Sequence, residues 1–262
     1  MHNDVVLGII GGQGWMGRSL GRAWLAQGLV PAERLVVSSR SLGDAYHDWP
    51  GVRCVTDNQE LVALADVILL AVRPQDLAAI EVEARGKLVI SLLAMTSLEA
   101  VAHRLGSQRV VRAMPNAAAE IGRGYFPWVA GEGVDDADKR LVQALLMSGG
   151  KARELPEESD LDYLTALSGA GPAYPALLAR ALLEDARRQG LPEAIAFEAV
   201  METLVGGSLL LEHLGDDPGA MVRRLIDYQG TTARGLETMI DGGFEAVVTE
   251  GLAAAHRAAR GL

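Results

Sequence analysis

Short apolar runs alternate with amphipathic stretches along the first half of the chain. The apolar runs predict five strands, at residues 4–10, 34–38, 66–72, 87–93 and 109–113. The stretches between them predict helices at residues 19–28, 58–65 and 97–105, with a weaker helical pattern at 77–84. Near-continuous apolar strands that alternate with helices are typical of a parallel sheet covered on both faces. The first half therefore predicts an α/β domain.

The second half of the chain has a different pattern, because strand signals disappear after about residue 155. Helical periodicity predicts helices over residues 161–189, 192–214, 218–226, 231–240 and 244–260. The acidic, proline-containing stretch ELPEESD, residues 154–160, separates the two patterns. We therefore expect two domains, an α/β domain over residues 1–156 and an all-α domain over residues 157–262.

A glycine-rich stretch follows the first predicted strand. Gly12, Gln13, Gly14, Trp15, Met16 and Gly17 have the form G-x-G-x-x-G and open a predicted helix, which is the setting of a dinucleotide-binding Rossmann domain. Such glycines allow a tight turn, a close approach to a pyrophosphate and close helix packing, and the first helical amides bind phosphates. Residues 12–16 are therefore predicted cofactor contacts, and a tight turn without ligand is the alternative.

The end of the second predicted strand indicates which dinucleotide is bound. An NAD site usually has an acidic residue about 20 residues beyond the glycine motif. This chain has Ser38, Ser39, Arg40 and Ser41 there, without a carboxylate. Hydroxyls and a guanidinium suit a 2′-phosphate, because arginine and phosphate form charge-assisted hydrogen bonds. We therefore predict NADPH, and an ordinary polar loop is the alternative.

Composition narrows the class of protein. The net charge of −10 argues against a nucleic-acid-binding surface. The single cysteine excludes an internal disulfide, and no histidine pair has metal-ligand spacing, so we expect no metal site. The longest apolar runs, such as residues 67–72, are far shorter than the roughly 20 residues of a membrane span. We expect a cytoplasmic protein that binds neither membranes nor nucleic acid.

Five segments, in their order and spacing, resemble pyrroline-5-carboxylate reductases. They are AVRPQ at 71–75, MPN at 114–116, LSGAGPAY at 167–174, GTTARGL at 230–236 and GGF at 242–244. The resemblance covers essentially the whole chain, and SGAGPAY is its most specific part. It implies a Rossmann domain followed by an all-α dimerisation domain, and reduction of a small-molecule cyclic imine with NADPH, less often NADH. It also implies a homodimer through the helical domain, and leaves open whether dimers assemble further.

The resemblance implies a set of ligand contacts as well. The predicted cofactor contacts beyond the glycine motif are Ser38, Ser39, Arg40 and Asn58 at the adenosine end, Ala71, Val72, Arg73, Pro74, Leu93 and Ala94 along the middle, and Asn116 toward the nicotinamide. The predicted substrate contacts are Ser168, Ala170, Gly171, Asp227, Tyr228, Gln229, Gly230 and Thr231. Thr232 is the predicted catalytic residue near the ring nitrogen. A protonated imine is already electrophilic, so a hydroxyl that orients the nitrogen is sufficient.

The late loop departs from the family pattern. The family usually has S-P-G-G-T-T where residues 227–232 read DYQGTT, and its serine and glycine amides hold the substrate carboxylate. An ionised Asp227 would repel that carboxylate by about 4 kcal/mol at about 4 Å and an effective dielectric constant of about 20. Asp227 could instead point to solvent or cap the following helix. Alternatively, the substrate could lack the carboxylate.

Further departures surround the same predicted pocket. Ala117 and Ala118 replace the family's T-P, Ala170 replaces a common serine, and Trp15 stands where asparagine is usual. Two interpretations have comparable weight, an altered ligand and neutral drift within an ordinary proline-forming enzyme.

Two other classes of protein are weighed against an imine reductase. Two-domain hydroxyacid dehydrogenases carry a catalytic lysine on the first long helix after the Rossmann domain, but residues 161–190 contain no lysine. A dinucleotide-binding protein that has lost catalysis would also explain Asp227 and the alanines. The retained Thr231 and Thr232 favour an enzyme.

Overall fold

A computed structural model describes residues 5–261, and its central element is an eight-stranded sheet. The strands are β1 (Leu7–Ile10), β2 (Leu35–Ser38), β3 (Arg53–Val55), β4 (Val67–Leu70), β5 (Leu88–Ser91), β6 (Arg109–Ala113), β7 (Gly124–Ala130) and β8 (Gly150–Glu154). Their order in the sheet is β3-β2-β1-β4-β5-β6-β7-β8. All five predicted strands are present; Asp4, at the start of the first prediction, lies outside the described residues.

The strand directions follow from the connections. The first six strands in this order, from β3 through β2 and β1 to β6, are mutually parallel. Strand β7 is antiparallel to β6, and β8 is parallel to β7. Parallel neighbours need a crossover of about a dozen residues or more, usually a helix. The link between β6 and β7, residues 114–123, is too short for that, whereas a helix joins β7 to β8. The fold is therefore the predicted α/β class, with one antiparallel pairing.

Five α-helices belong to the part of the chain that contains the sheet. They are α1 (Trp15–Ala26), α2 (Asn58–Leu64), α3 (Leu98–Leu105), α4 (Asp136–Met147) and α5 (Glu158–Leu164). Side chains cap three of them: Asp57 accepts a hydrogen bond from the Gln59 amide, Ser97 from Ala100 and Asp135 from Asp138. Such caps satisfy amides that have no partner within the helix.

Two hydrophobic cores cover the two faces of the sheet. On one face, Ile9 packs in a cluster with Trp24 of α1 and Leu145 of α4. On the other, Ile10 packs in a cluster with Leu61 of α2. Because neighbouring residues of each central strand face opposite cores, nearly every position must be apolar. This explains why the five predicted strands appear as continuous apolar runs in the sequence.

The rest of the chain is helical, as predicted. It forms α6 (Ala173–Arg188), α7 (Glu193–Leu214), α8 (Pro218–Asp227), α9 (Thr231–Asp241) and α10 (Phe244–Ala259). The prediction of one helix over residues 161–189 was wrong. This region contains α5, a π-helical turn at Thr165–Gly169, and α6 after Pro172. Proline lacks an amide hydrogen and disfavours helical conformation in the preceding residue, which separates α6 from the turn.

The chain packs into two compact units. Residues up to Ala170, together with those from His256 onward, form the first unit, and Gly171–Ala255 form the second. In the first unit the His256 ring meets the edge of the Tyr163 ring, with centroids 5.5 Å apart. The domain boundary between residues 156 and 157 stays a prediction.

Several elements were not recognised from the sequence. Strands β3, β7 and β8 and helix α4 lie in regions without an assignment, and the weak helix at residues 77–84 is a 3-10 turn at Pro74–Ala79. Strand β8 is the outermost strand of the sheet and has the sequence GKARE. Three of its residues are exposed and charged, two basic and one acidic. Edge strands of this kind lack the apolar pattern on which the other predictions rest.

Helix α7 corrects one expectation from the sequence. By length and composition alone it is long and apolar enough to cross a membrane, and most of it is exposed within the chain. The expectation that every apolar stretch is too short was therefore wrong for this helix. Helices α6 and α10 also expose large apolar side chains, such as Leu177 and Val247. Apolar surface of this extent indicates an interaction surface.

Arg112 of β6 fastens α5 to the sheet. Its side chain is 4 % exposed, pairs with Glu158, and donates to an Asp162 oxygen at 3.4 Å. Glu158 also accepts a hydrogen bond from the Leu98 amide at 2.8 Å, at the start of α3. One buried guanidinium therefore holds together a strand and two helices.

We expect Arg112→Leu to lower the free energy of unfolding by about 3 kcal/mol, because removing one partner of a buried ion pair leaves its carboxylates unpaired. The matched control is Arg53→Leu, since Arg53 and Glu60 form a pair in which both side chains are exposed; its loss should cost less than about 1 kcal/mol. Urea unfolding followed by circular dichroism measures both. Equal losses in the two variants would contradict this account of Arg112.

Candidate active site

The predicted cofactor residues meet at one edge of the sheet. Strands β1, β2, β4, β5 and β6 run parallel, so their carboxyl ends lie together. The predicted residues that follow these strands are Gly12, Gln13, Gly14, Ser39, Arg40, Ala71, Val72, Arg73, Pro74, Leu93, Ala94 and Asn116, with Ser38 ending β2, Trp15 and Met16 opening α1, and Asn58 opening α2. This edge is where α/β sheets of this class bind ligands.

The turn from β1 into α1 depends on two glycines. Gly11, one residue before the motif, has φ +86°, and a Cβ there would lie 2.5 Å from the Ala71 carbonyl oxygen. A Cβ on Gly17 would lie 2.5 Å from the Gly11 carbonyl oxygen. Only hydrogen fits at either position, so the first turn of α1 packs directly on the preceding backbone. The tight turn is therefore made by Gly11, and the close helix packing by Gly17.

The amino end of α1 is open. Gly14 is its N-cap, and no side chain among residues 5–261 accepts a hydrogen bond from its first amides. These amides and the helix dipole favour an anion, as a pyrophosphate would be. The motif is thus folded as a phosphate-binding turn, while its ligand contacts remain predictions.

Tyr46 supports this turn, a role that nothing in the sequence indicates. Its hydroxyl lies 3.1 Å from the Gly12 carbonyl oxygen and 3.2 Å from that of Gly17. Burial raises the pKa of Tyr46, so the hydroxyl stays a donor throughout the physiological range. Tyr46 lies in the polar loop between β2 and β3, where no periodicity marks a buried residue.

The adenosine end has two exposed arginines, Arg40 and Arg73. The Ser38 hydroxyl donates to Asn58 Oδ1 at 2.7 Å, and that of Ser39 to the Ser41 carbonyl oxygen at 2.6 Å. The Arg73 guanidinium is held by Asp76, with Nε 2.9 Å from Oδ2. Arg40 is exposed at the end of β2, which is where a 2′-phosphate would need a positive charge.

Charge at this end is concentrated around Asp76. The hydrogen bond from Arg73 lowers the pKa of Asp76, and the positive charges of Arg73 and Arg40 lower it further. Asp76 therefore stays ionised and keeps Arg73 occupied. Of these two arginines, Arg40 is the one whose guanidinium remains for a phosphate.

Asn116 presents a buried acceptor at the other end of the site. Its Nδ2 donates to the Ser168 carbonyl oxygen at 2.9 Å, while its Oδ1 is buried without a partner among residues 5–261. A carbonyl only accepts, so this bond fixes the orientation of the amide. A buried acceptor without a partner costs about 1–3 kcal/mol, and a ligand N–H, such as that of a nicotinamide carboxamide, would satisfy it. The residues at this edge therefore fit NADPH.

The late loop joins α8 to α9 in the second unit. Asp227 ends α8, and Tyr228, Gln229 and Gly230 lead to Thr231 and Thr232 in the first turn of α9. Asp227 and Tyr228 are exposed, and Gln229 has φ +56°. This left-handed conformation favours glycine, which is what the family pattern has at that position.

The start of α9 shows whether Asp227 caps this helix. Gly230 is the N-cap of α9, and no side chain in the described part of the chain accepts a hydrogen bond from the first amides of this helix. Asp227 therefore does not cap α9, and the helix keeps amides that can bind a carboxylate.

The predicted substrate residues fall in both compact units. Ser168 and Ala170 belong to the first unit, where Asn116 contacts the Ser168 backbone. Gly171 and residues 227–232 belong to the second. Their roles as substrate contacts stay predictions.

Comparison with known proteins places this geometry in a family. Residues 158–262 match the family model described as pyrroline-5-carboxylate reductase dimerisation, and residues 6–95 match one described as NADP oxidoreductase, coenzyme F420-dependent. A pyrroline-5-carboxylate reductase from Synechocystis is 32 % identical, over 99 % of this chain and 98 % of its own length. The chain belongs to the pyrroline-5-carboxylate reductase family.

Solved structures of pyrroline-5-carboxylate reductases share the fold over the whole chain. The enzyme from Coxiella burnetii is 28 % identical, with a TM-score of 0.87 over 98 % of this chain and 97 % of that one. A Plasmodium falciparum pyrroline carboxylate reductase, solved with NADP bound, is 26 % identical, with a TM-score of 0.83 over 99 % and 98 %. The predicted family and fold are confirmed, and the predicted cofactor agrees with the NADP of the Plasmodium relative.

Family membership also accounts for the apolar surface of the second unit. The dimerisation model of the pyrroline-5-carboxylate reductases covers helices α5 to α10. Helix α7, with only Ala196 and Val200 buried, lies within that segment. The exposed apolar surface of α7 is therefore suited to association between chains.

We expect Tyr46→Phe to weaken NADPH binding about fivefold, because the turn loses a hydrogen bond worth about 1 kcal/mol. The control is Tyr125→Phe in β7, which is separated from β1 by three strands. Fluorescence titration with NADPH measures both dissociation constants. Unchanged affinity in Tyr46→Phe would show that the turn holds its shape without the hydroxyl.

We expect Arg40→Ala to raise the dissociation constant for NADPH at least about tenfold, since a charge-assisted hydrogen bond to the 2′-phosphate is worth about 1.5–3 kcal/mol. The affinity for NADH, which lacks that phosphate, serves as the internal control and should not change. Parallel titrations with the two nucleotides test this, and equal losses for both would place Arg40 outside the 2′-phosphate site.

Proposed function

We propose that this protein is an NADPH-dependent reductase that converts a cyclic imine, pyrroline-5-carboxylate, to the saturated ring, proline. The observation that carries the proposal is the start of α9, where Gly230 leaves the first amides uncapped beside Thr231 and Thr232. Amides at a helix start suit a carboxylate, and a hydroxyl suits a ring nitrogen. The phosphate-binding turn at Gly11–Gly17 supports the nucleotide half of the reaction.

Each part of the site has one task in this reaction. NADPH, when bound, supplies the hydride that the imine carbon accepts. The open amides of α1 and the Arg40 guanidinium would hold the nucleotide phosphates, and Asn116 Oδ1 would accept a hydrogen bond from the nicotinamide carboxamide. Thr232 orients the ring nitrogen, which already carries its proton and becomes the amine. Positioning therefore provides most of the catalysis expected from the protein.

The active form is a homodimer built through the helical unit. The exposed apolar side chains of α6, α7 and α10 support this, because one chain alone leaves them in water. The net charge of −10 supports a small-molecule substrate over nucleic acid. The single thiol, Cys54, supports work in the reducing cytoplasm.

A second candidate function is reduction of an imine that lacks the carboxylate. Asp227 favours it, because this exposed acid is the first residue of the late loop and has no cationic partner among the described residues. Ala117, Ala118 and Ala170 also provide no hydroxyl to hold a polar substituent. The two functions differ in one property of the substrate, its negative charge.

The first experiment is NADPH oxidation by the purified protein with pyrroline-5-carboxylate and, separately, with 1-pyrroline. Faster turnover of pyrroline-5-carboxylate is expected. Turnover of 1-pyrroline alone would establish the second candidate. Turnover of neither, with NADPH still bound, would establish a dinucleotide-binding protein without this activity.

Asp227→Ser separates the two candidates further. If Asp227 faces the substrate, its removal should lower the KM for pyrroline-5-carboxylate at least about tenfold, because the opposing repulsion reaches about 4 kcal/mol at about 4 Å. The KM for uncharged 1-pyrroline should not fall. The matched control is Asp241→Ser, which removes the same charge at the other end of α9. Equal effects of the two variants would show only a change in net charge.

A further inference from the structure

The strained backbone positions lie next to predicted ligand contacts, one in each compact unit. Among residues 5–261, two residues other than glycine have positive φ: Gln229 at +56° in the substrate loop, and Met95 at +55°. Residues with a side chain avoid this region, and those that occupy it cluster at functional sites. Gln229 is a predicted substrate contact, whereas nothing in the sequence marked Met95.

Hydrogen bonds on both sides fix the loop that holds Met95. The Leu92 amide donates to the Leu70 carbonyl oxygen at 3.0 Å. The Thr96 hydroxyl, in a buried residue, donates to the Ala94 carbonyl oxygen at 3.1 Å. Ser97 then caps α3. The left-handed conformation of Met95 is therefore imposed by its neighbours.

Most of the Met95 side chain is left exposed by its own unit. It is 59 % exposed, although Leu93 and Thr96 on either side are buried. A large apolar side chain thus occupies an unfavourable backbone conformation and stays in water. Glycine would fit this backbone better, so the stability of this unit does not account for methionine here.

Met95 lies next to residues that are predicted to contact the nicotinamide end of the cofactor. It follows β5 at the sheet edge where the cofactor residues gather. Its neighbour Ala94 packs against the cluster that contains Met114. Asn116, two residues after Met114, has a buried Oδ1 without a partner among residues 5–261. Met95 is therefore next to the predicted nicotinamide end and far along the sheet from Arg40 at the end of β2.

We propose that Met95 is a specificity-determining residue whose thioether side chain forms an apolar wall against the hydrocarbon face of the imine ring. The inference rests on the proposed function and specifies the substrate as a ring with an uninterrupted apolar face. Methionine suits this role because its flexible, polarisable side chain adapts to irregular apolar shapes. The alanines at 117, 118 and 170 extend the same apolar character.

The test compares Met95→Ala and Met95→Gly with Met147→Ala, which removes an exposed methionine at the end of α4. Kinetics use saturating NADPH and whichever of pyrroline-5-carboxylate and 1-pyrroline the wild type reduces. We expect both Met95 variants to raise the KM for the ring about tenfold, since an apolar contact of one side chain is lost. The kcat and the dissociation constant for NADPH should stay within about twofold of wild type, and Met147→Ala should change nothing.

A second readout separates side chain from backbone. Met95→Gly should have a higher Tm than Met95→Ala, because only glycine relieves the left-handed backbone, while both lose the same ring contact. Three results would overturn the inference: an unchanged KM, a loss confined to NADPH affinity, or a changed oligomer size in gel filtration. The last two would place Met95 against the nicotinamide or a second copy of the chain.

Failure of the proposed function would be recognised separately, as a wild type that reduces neither ring. In that case the binding of proline and pyrrolidine, measured by thermal shift with NADP+ present, replaces the kinetics. Weaker ring binding in Met95→Ala than in wild type would still support the wall. Equal binding, or no ring binding by the wild type, would overturn it.

Discussion

The direct contact between the first turn of α1 and the Gly11 backbone is the constraint on which the nucleotide half depends. Because neither Gly11 nor Gly17 has room for a Cβ, α1 begins immediately above β1 and directs its open amides at the sheet edge. Tyr46 holds the same turn from the other side through two glycine carbonyls. Trp24 of α1 is buried in the core that also contains Ile9 of β1, which holds the helix against the sheet. These contacts hold the turn in a geometry that suits a phosphate.

A second contact connects the sheet edge to the segment most specific to the family. The Asn116 amide donates to the Ser168 backbone in the π-helical turn after α5, and Arg112, four residues earlier on β6, holds α5 itself. Strand β6 therefore positions this turn through a buried ion pair and one hydrogen bond. The same arrangement leaves Asn116 Oδ1 without a partner among residues 5–261, so the hydrogen bond to Ser168 determines which atom of the amide remains available. Positioning and binding are consequently coupled in one side chain.

The sequence predicted those features that local chemistry determines. Strands β1, β2, β4, β5 and β6 were found because burial on both faces requires continuous apolar runs, and the phosphate turn was found because its glycines follow a strand. Strand β8 was not found, since an exposed edge tolerates charges. Tyr46 and Met95 were not found either. The role of Tyr46 arises from a contact across 34 residues of sequence, and that of Met95 from a backbone angle that its residue type does not disclose.

Charge explains why nucleotide and substrate must be recognised separately. With a net charge of −10, the protein has no overall attraction for anions, so it uses local groups. Glycine is the N-cap residue of both α1 and α9, so it offers no side chain to their first amides. By contrast, the Asp217 side chain caps α8. At α1, Arg40 in the loop after the neighbouring strand β2 adds a positive charge that favours a phosphate. At α9, the acid of Asp227 precedes the loop and opposes the attraction of the helix dipole for a carboxylate. The start of α1 therefore has a positive charge nearby, whereas the start of α9 has a negative one, and this difference underlies the two proposed substrates, a charged ring and a neutral one.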